Sequence, residues 1–257
     1  MASELSVAIS FLLCVALSGL AYYRKVLTWD GTMAAFGVGL LIGVFGDVTW
    51  LLLLLLFLVS SFAATRYRFA LKEAMGVQEG KRGERRAANV LANGLAPAVV
   101  AILGFPGFGV PILPKDLSGL LFVSSLAVAG SDTLASEIGV LSQKAYLITT
   151  GRHVKPGTDG GVSWLGQGAA LGAALYTALL GYLVLVPFSG WAGLTPSFPG
   201  DPKFLFVPAL VGFLGCQIDS VFGATLERRG WLDKRTNNLV STSLGAVIAL
   251  VLYLFIR

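Results

Sequence analysis

The sequence predicts an all-α integral membrane protein, with about eight transmembrane helices in a single domain over residues 1–257. Two observations support this prediction. Of the 257 residues, 55% are hydrophobic and only 13% are charged, whereas a soluble globular domain has roughly 25% charged residues. The apolar residues also fall into separate runs that approach the roughly 20 residues needed to cross a bilayer as a helix.

Eight apolar runs give the predicted helices in chain order. They are 5–23, 31–46, 48–65, 87–104, 117–137, 164–186, 204–225 and 238–256. The second and third runs meet at Gly46-Asp47, so we expect either a tight hairpin or one re-entrant segment there. No Lys or Arg precedes the first run, whereas a cleaved signal peptide begins with a basic region. We therefore interpret the first run as a retained helix.

The distribution of basic residues predicts the orientation. With the N-terminus outside, the loops 24–30, 66–86, 138–163 and 226–237 face the cytoplasm and hold 16 of the 19 lysines and arginines. An excess of positive charge is typical of cytoplasmic loops. The sequence therefore predicts that both ends lie outside, and that the active face of the protein looks into the cytoplasm or the stroma.

The two cysteines and the one histidine argue against a soft-metal site. Cys14 and Cys216 each lie within an apolar run, where an isolated cysteine behaves as a small hydrophobic residue. His153 lies in a loop that has no neighbouring cysteine. We therefore expect neither a disulfide nor a zinc or copper site.

Two similar polar segments close apolar runs and look like two halves of one site. The first contains Asp132 and Glu137, and the second contains Asp219. A carboxylate in a low-dielectric environment is costly unless a cation, hydrogen-bond donors or water compensate it. Oxygen ligands of this kind suit Mg²⁺, which commonly takes one or two carboxylates together with substrate phosphates. A structural polar network between helices is the alternative interpretation.

The spacing within the first segment limits which side chains can act together. On an unbroken helix, Asp132 and Glu137 lie about 140° apart, so they can share one ion only if the helix unwinds. Gly130 and Gly139 permit such unwinding. Asp132 and Ser136 lie one helical turn apart and share a face.

The loop 149–163 has the composition of a phosphate-binding nest. Its glycines free backbone N–H groups just before an apolar helix, whose dipole also favours anions at that end. Arg152 and Lys155 add positive charge. No Gly-Lys-Ser/Thr sequence follows the glycines, so the segment is not a P-loop of the NTPase type. An ordinary turn-rich loop is the alternative.

Other polar residues are candidates for contact with a lipid phosphate. Arg24 and Lys25 close the first helix, where they either anchor it at the headgroups or bind the phosphate. Asn89 and Asn93 present two amides on one face of the fourth helix, and buried amides need partners. We interpret the cluster from Lys81 to Arg86 as a loop that sets topology and is attracted to anionic lipid, without a catalytic role.

Three segments together resemble a known integral membrane family. They are Gly130-Ser-Asp-Thr-Leu-Ala-Ser-Glu-Ile-Gly139, Gly157-Thr-Asp-Gly-Gly161, and Asp219-Ser-Val-Phe-Gly-Ala-Thr-Leu226 with Asn237-Asn238. The family is defined by an uncharacterised domain and includes the plastid and cyanobacterial phytyl-phosphate kinase. It is distantly similar to dolichol and phytol kinases and to CTP-dependent lipid cytidylyltransferases. The resemblance covers most of the chain.

The resemblance implies an isoprenoid monophosphate kinase. The reaction would transfer the terminal phosphoryl group of a nucleoside triphosphate, such as CTP, to a lipid such as phytyl phosphate, and the phytyl diphosphate formed would serve tocopherol synthesis. Phosphoryl transfer depends mainly on positioning and charge neutralisation. Because a lipid phosphate is already ionised, no strong general base is required, and the shortage of histidine is no objection.

The resemblance also implies roles for individual residues. Catalysis and the binding of Mg²⁺ fall to Asp132, Glu137 and Asp219. Binding of the nucleotide and its phosphates falls to Ser131, Thr133, Ser136, Lys155, Gly157, Thr158, Asp159, Gly160, Gly161, Ser220 and Asn238. Binding of the lipid phosphate falls to Arg24, Lys25, Asn89 and Asn93.

Two other functions remain open at this point. A lipid-phosphate cytidylyltransferase needs the same metal and nucleotide but releases pyrophosphate. A secondary transporter predicts polar residues near mid-membrane and on both faces, whereas here they concentrate on the predicted cytoplasmic side. We expect the isoprenoid monophosphate, the nucleotide and membrane lipid as partners, and no nucleic acid. Glycines along helices two, six and eight permit a homo-oligomer.

Overall fold

Nine α-helices dominate the structure, a computed structural model that describes residues 4–80, 82–105, 112–185 and 200–256. Within these residues the helices are α1 (Glu4–Tyr23), α2 (Trp29–Leu41), α3 (Val48–Arg66), α4 (Phe69–Ala74), α5 (Ala87–Leu103), α6 (Lys115–Gly139), α7 (Trp164–Leu185), α8 (Lys203–Phe222) and α9 (Lys234–Ile256). Five-residue π-helical turns extend α2 through Ile42–Gly46 and α8 through Gly223–Glu227.

All eight predicted apolar runs form helices. Seven of the described helices are long and apolar enough to cross a membrane, and α5 is a shorter apolar helix of 17 residues with Pro97 inside it. The predicted boundaries agree with the described ones to within four residues, the largest difference being the start of α9 at Lys234. The predicted end of the sixth run at residue 186 lies outside the described residues. The all-α membrane class is confirmed, and the orientation stays a prediction.

A single residue joins the end of the second span to α3, where the sequence predicts a hairpin or a re-entrant segment. The Oδ1 atom of Asp47 accepts hydrogen bonds from the N–H groups of Thr49 (2.8 Å) and Trp50 (3.3 Å). An aspartate in this position satisfies N–H groups that have no partner within the helix, and such a cap is worth roughly 1 kcal/mol. Asp47 is therefore the N-cap of α3.

Helix α6 is the centre of the fold. It packs against α3, α5, α7, α8 and α9, and every residue from Leu117 to Ser131 is buried. A helix that is apolar on all sides is typical of such a buried position. Asp132, Ser136 and Glu137 lie beyond this stretch, in the C-terminal part of α6 that is partly exposed.

Helix α8 comes close to α6 because the contact between them is made by glycine. A Cβ atom on Gly215 would overlap the side chain of Val128. Small residues at such contacts allow two helix backbones to approach closely. Asp219 and Asp132 lie one helical turn further along the two helices, so the packing of α6 on α8 sets the separation of the two carboxylates.

A small antiparallel sheet follows α6 and includes part of the predicted glycine-rich loop 149–163. Strand β1 (Ala145–Leu147) lies between β2 (His153–Val154) and β3 (Gly161–Val162). The N–H group of Ile148 donates to the carbonyl of Gly160 (3.0 Å). The sheet was not predicted, because strands of two or three residues are too short to show a period in hydrophobicity.

Candidate active site

Two aspartates lie side by side where α6 and α8 leave the core. Asp219 is 9% exposed, and its carboxyl group interacts directly with that of the partly buried Asp132. The two polar segments that look like halves of one site are therefore adjacent. Carboxylates this close repel each other where solvent is scarce, so the pair favours a cation or a shared proton between them.

Helix α9 orients both aspartates. The hydroxyl of Ser241 donates to Oδ1 of Asp219 (2.8 Å), and Nδ2 of Asn238 donates to Oδ2 of Asp132 (3.2 Å). One residue earlier, Nδ2 of Asn237 donates to the backbone carbonyl of Asp219 (3.0 Å). Supporting hydrogen bonds of this kind fix the direction in which a ligating carboxylate points.

A polar cavity of about 270 Å³ opens beside the aspartates. Parts of α6, α7, α8 and α9, the segment 156–163 and the segment before α5 form its walls. Its charged and polar lining residues are Glu79, Asp132, Ser136, Glu137, Thr158, Asp159, Ser163, Gln167, Asp219, Ser220, Glu227 and Lys234. The volume is close to the lower end of the roughly 300–1,000 Å³ range of small-molecule sites.

Glu137 lies on the cavity wall, but its carboxylate oxygens already have partners. Oε2 lies 2.7 Å from Nζ of Lys72, and Oε1 accepts a hydrogen bond from the hydroxyl of Thr65 (2.8 Å). Lys72 is fully buried. Because α6 is helical throughout Lys115–Gly139, the unwinding that would let Asp132 and Glu137 share an ion does not occur. The metal role of Glu137 stays a prediction, and the described partners of its carboxylate are Lys72 and Thr65.

A magnesium ion held by the two aspartates agrees better with the structure than one held by three carboxylates. Within the described ranges, no group of three or more His, Cys, Asp or Glu side chains lies close enough to hold a metal ion. Mg²⁺ usually takes one or two carboxylates and completes its coordination with phosphate oxygens and water. Asp132 and Asp219 match that pattern, because both line one polar cavity.

The glycine-rich segment forms one wall of the cavity, as a tightly packed turn. Gly157 and Gly160 have positive φ values of +85° and +70°, which side-chain-bearing residues rarely adopt. A Cβ atom on Gly160 would also overlap Ala224, in the π-helical turn after α8. The Thr158 hydroxyl donates to the carbonyl of Lys155 (2.7 Å) and closes the turn. The glycines are thus required for the conformation and the packing of this turn.

The remaining predicted nucleotide-binding residues divide into two groups. On the cavity wall lie Ser136, Gly157, Thr158, Asp159, Gly160, Gly161 and Ser220, and Asn238 contacts Asp132 from α9. Ser131 and Thr133 are buried in α6 and do not line the cavity, and Lys155 is exposed outside it. His153 lies in β2, with its ring against Tyr146.

Comparison with known proteins places the chain in a family. A family model described as an integral membrane protein, DUF92, matches residues 12–249. The chain belongs to the DUF92 integral membrane family. The resemblance inferred from the three polar segments is therefore confirmed.

Relatives of this DUF92 protein occur in an archaeon, a cyanobacterium and a plant. The uncharacterized membrane protein MJ0933 of Methanocaldococcus jannaschii is 32% identical over 95% of this chain and 93% of its own length. The uncharacterized membrane protein sll0875 of Synechocystis is 36% identical over 94% and 87%. The chloroplastic protein VTE6 of Arabidopsis thaliana is 31% identical over 90% and 66%. No solved structure matches significantly.

Lys234 is a functional candidate, although from the sequence it contributes only to the excess of positive charge in a predicted cytoplasmic loop. Among the described residues, it is the one lysine or arginine that lines the cavity of the aspartate pair. Its charge acts mainly on Asp132. One feature of the sequence could have identified Lys234. The residue lies at the start of the last described helix, close to Asn237-Asn238.

The candidate lipid-phosphate residues lie around a second polar cavity and an apolar groove. Asn89 donates through Nδ2 to Oε1 of Glu79 (3.0 Å), and Asn93 donates to the carbonyl of Asn89 (3.1 Å). Both amides line a cavity of about 230 Å³. Arg24 lines the apolar groove, whereas Lys25 lines none of these cavities and has a positive φ of 56°.

Arg85 belongs to the basic cluster from Lys81 to Arg86, which is interpreted from the sequence as a loop that sets topology. Lys81 itself lies outside the described residues. Arg85 is only 7% exposed. Burial lowers the pKa of its guanidinium, and the carboxylates of Glu137, Glu79 and Asp132 oppose this change. An arginine nevertheless stays cationic in proteins. Arg85 is therefore a buried charge close to the candidate active site, and sequence alone gave no sign of its burial.

Proposed function

We propose that this DUF92 protein is an isoprenoid monophosphate kinase, which transfers the terminal phosphoryl group of a nucleoside triphosphate, CTP in the first instance, to a lipid monophosphate. The observation that carries the proposal is the pair Asp132–Asp219, which faces a polar cavity inside a membrane protein. The family resemblance, which extends to phytyl-phosphate kinase, and a chloroplast relative at 31% identity support this substrate class.

In the proposed site, Asp132 and Asp219 hold the magnesium–triphosphate complex. When bound, Mg²⁺ supplies charge neutralisation on the phosphate oxygens. Lys234 adds a positive charge to the cavity beside Asp132, and the segment 157–161 and the start of α7 line the same cavity. Helix starts and glycine-rich turns commonly bind phosphate through backbone N–H groups.

The reaction needs no general base. An ionised oxygen of the lipid phosphate forms a bond to the γ-phosphorus, and the bond from that phosphorus to the β-phosphate oxygen breaks. The nucleoside diphosphate leaves with the electron pair of the broken bond, and no proton moves. Positioning and charge neutralisation then account for the rate enhancement. This agrees with a cavity lined by carboxylates, hydroxyls, amides and a lysine, without a histidine among its described lining residues.

The test uses purified protein in detergent with phytyl monophosphate, Mg²⁺, and CTP labelled on either the α- or the γ-phosphate. We expect label from the γ-position in phytyl diphosphate, with CDP as the second product. Asp132→Asn should abolish this transfer. Asp201→Asn, a matched change at an exposed aspartate outside the cavity, should retain it.

Other products would redirect or overturn the proposal. Label from the α-position in the lipid, with release of pyrophosphate, would establish the cytidylyltransferase. Absence of transfer from any nucleoside triphosphate to any isoprenoid monophosphate would overturn a phosphotransferase function.

A further inference from the structure

An apolar groove lies between α1, α2 and α3, apart from the polar cavity. Its volume is about 250 Å³, and leucine, valine and phenylalanine side chains such as Leu17, Leu54 and Phe62 form most of its lining. Leu20 and Val59 are 50% and 59% exposed, so the groove is open on one side. A long hydrocarbon chain can therefore enter sideways from the membrane.

The groove ends at two arginines. Arg24 directly follows α1, and both its side chain and that of Arg85 line the groove. The backbone of Arg85 is fixed beside the α1–α2 connection, because its N–H donates to the carbonyl of Val26 (3.0 Å) and its carbonyl accepts from the N–H of Thr28 (3.1 Å). The groove is thus apolar along most of its length and cationic at one end.

Arg85 is an incompletely satisfied buried charge. It is only 7% exposed, its Nε atom has no hydrogen-bond partner among the described residues, and it forms no ion pair with them. A buried guanidinium nitrogen without an acceptor is unfavourable, and the carboxylates of Glu137, Glu79 and Asp132 offset only part of the effect of burial on the pKa of Arg85. A phosphate monoester, which has several acceptor oxygens in the geometry that a guanidinium recognises, would satisfy it.

The cationic end of the groove leads to the aspartate pair. Arg85 also lines a small cavity with Asn89 and Asn93, and these two amides line the next cavity with Glu79 and Lys234. Glu79 and Lys234 in turn line the cavity of the aspartate pair. Shared polar lining residues therefore connect the head of the groove, through a small and mostly apolar cavity, to the proposed site of phosphoryl transfer.

We propose that the groove binds the hydrocarbon chain of a single-chain isoprenoid monophosphate, whose phosphate is bound by Arg85 with Arg24. The identity of this lipid as the acceptor rests on the proposed kinase function. A monoester phosphate carries up to two negative charges, which match the two arginines. One branched chain suits one groove, whereas a phospholipid would need room for two chains beside its phosphate.

Binding is tested without nucleotide, so that it does not depend on catalysis. Tritiated phytyl monophosphate is added to the purified full-length chain in detergent, and bound label is measured by scintillation proximity. We expect Arg85→Gln to weaken binding by about 10- to 100-fold, which corresponds to the loss of a charged hydrogen bond, and Arg85→Lys to recover part of it. Val59→Trp, which fills the open side of the groove, should also weaken binding.

Matched controls separate recognition from folding. Leu179→Trp places the same side chain on an exposed position of α7 outside the groove and should bind normally. Phytol and inorganic phosphate should compete poorly, because each has only half of the recognised structure. Unchanged binding in Arg85→Gln would overturn the phosphate role, and equal competition by phosphatidic acid would overturn the single-chain isoprenoid.

The outcomes for the groove and for the kinase are distinct. Binding that depends on Arg85 and Val59, without transfer from any nucleotide, would leave the groove assignment intact and remove the kinase. Transfer to phytyl monophosphate that is insensitive to both residues would support the kinase and overturn the groove.

Discussion

Gly215 of α8 packs directly on Val128 of α6, and each residue lies one helical turn before one of the paired aspartates. The contact leaves no room for a side chain at position 215. The distance between Asp132 and Asp219 consequently depends on helix packing at two residues that do not line the cavity.

Gly215→Ala should separate α6 from α8 and damage both stability and transfer. Overpacking of a close contact typically costs about 1–3 kcal/mol, so the free energy of unfolding in detergent should fall by that amount. Gly172→Ala is the matched control, because nothing lies within 4 Å of a Cβ atom at that position of α7. Equal stability and turnover of the two variants would contradict the role of the Gly215–Val128 contact.

Lys72→Met should destabilise the protein strongly, because Glu137 would be left as an unpaired, mostly buried charge. Breaking one partner of a buried pair costs about 3–5 kcal/mol, whereas replacing both partners is often close to neutral. The double variant Lys72→Met with Glu137→Gln should therefore recover most of the loss in chemical denaturation. Lys203→Met, in the more exposed pair with Asp201, should cost about 0–1 kcal/mol. If Lys72→Met lowered the free energy of unfolding as little as Lys203→Met does, the buried pair would contribute no more to stability than the exposed one.

Asp132→Asn and Asp219→Asn should separate stability from activity. Each removes one carboxyl group of a pair that repels when both members are ionised, so neither should lower the melting temperature in magnesium-free buffer. Phosphoryl transfer should fall by more than about 100-fold, since even changes to residues that only support metal ligands cost about 10- to 100-fold. Added Mg²⁺ with CTP should raise the melting temperature of the unmodified protein, because a ligand that binds only the folded state stabilises it. The same rise in Asp132→Asn would place the metal elsewhere.

Asp233 should make the stability of α9 depend on pH. Its Oδ1 atom accepts from the N–H (2.7 Å) and the hydroxyl (2.8 Å) of Thr236, and these bonds lower its pKa from the ordinary value of 3.8. A lowered pKa means that the stabilisation is complete above pH 3.8 and is lost as the pH falls through the folded-state value. The melting temperature of Asp233→Ala should thus lie below that of the unmodified protein at pH 7 and approach it at low pH. A difference that is the same at pH 3 and pH 7 would exclude the carboxylate charge as its cause.

The sequence predicted those features that depend on neighbouring residues. The apolar runs predicted eight of the nine described helices, all but the short α4, since their signal is local. The similarity of the segments around Asp132 and Asp219 indicated one site. The features that were missed depend on contacts between distant parts of the chain. Nothing near Lys72 indicates that Glu137 is its partner, and nothing in the basic cluster separates the buried Arg85 from its exposed neighbour Arg86.

The dependence of both aspartates on α9 has a consequence for biosynthesis. The donors that orient Asp132 and Asp219, Asn238 and Ser241, are carried by the last described helix. Chains are made from the N-terminus, and their parts fold as they emerge. A nascent chain that has inserted α1 to α8 therefore has its carboxylates in the membrane without their hydrogen-bonded support. Both aspartates therefore acquire these hydrogen bonds only after α9 has been synthesised and has packed against α6 and α8.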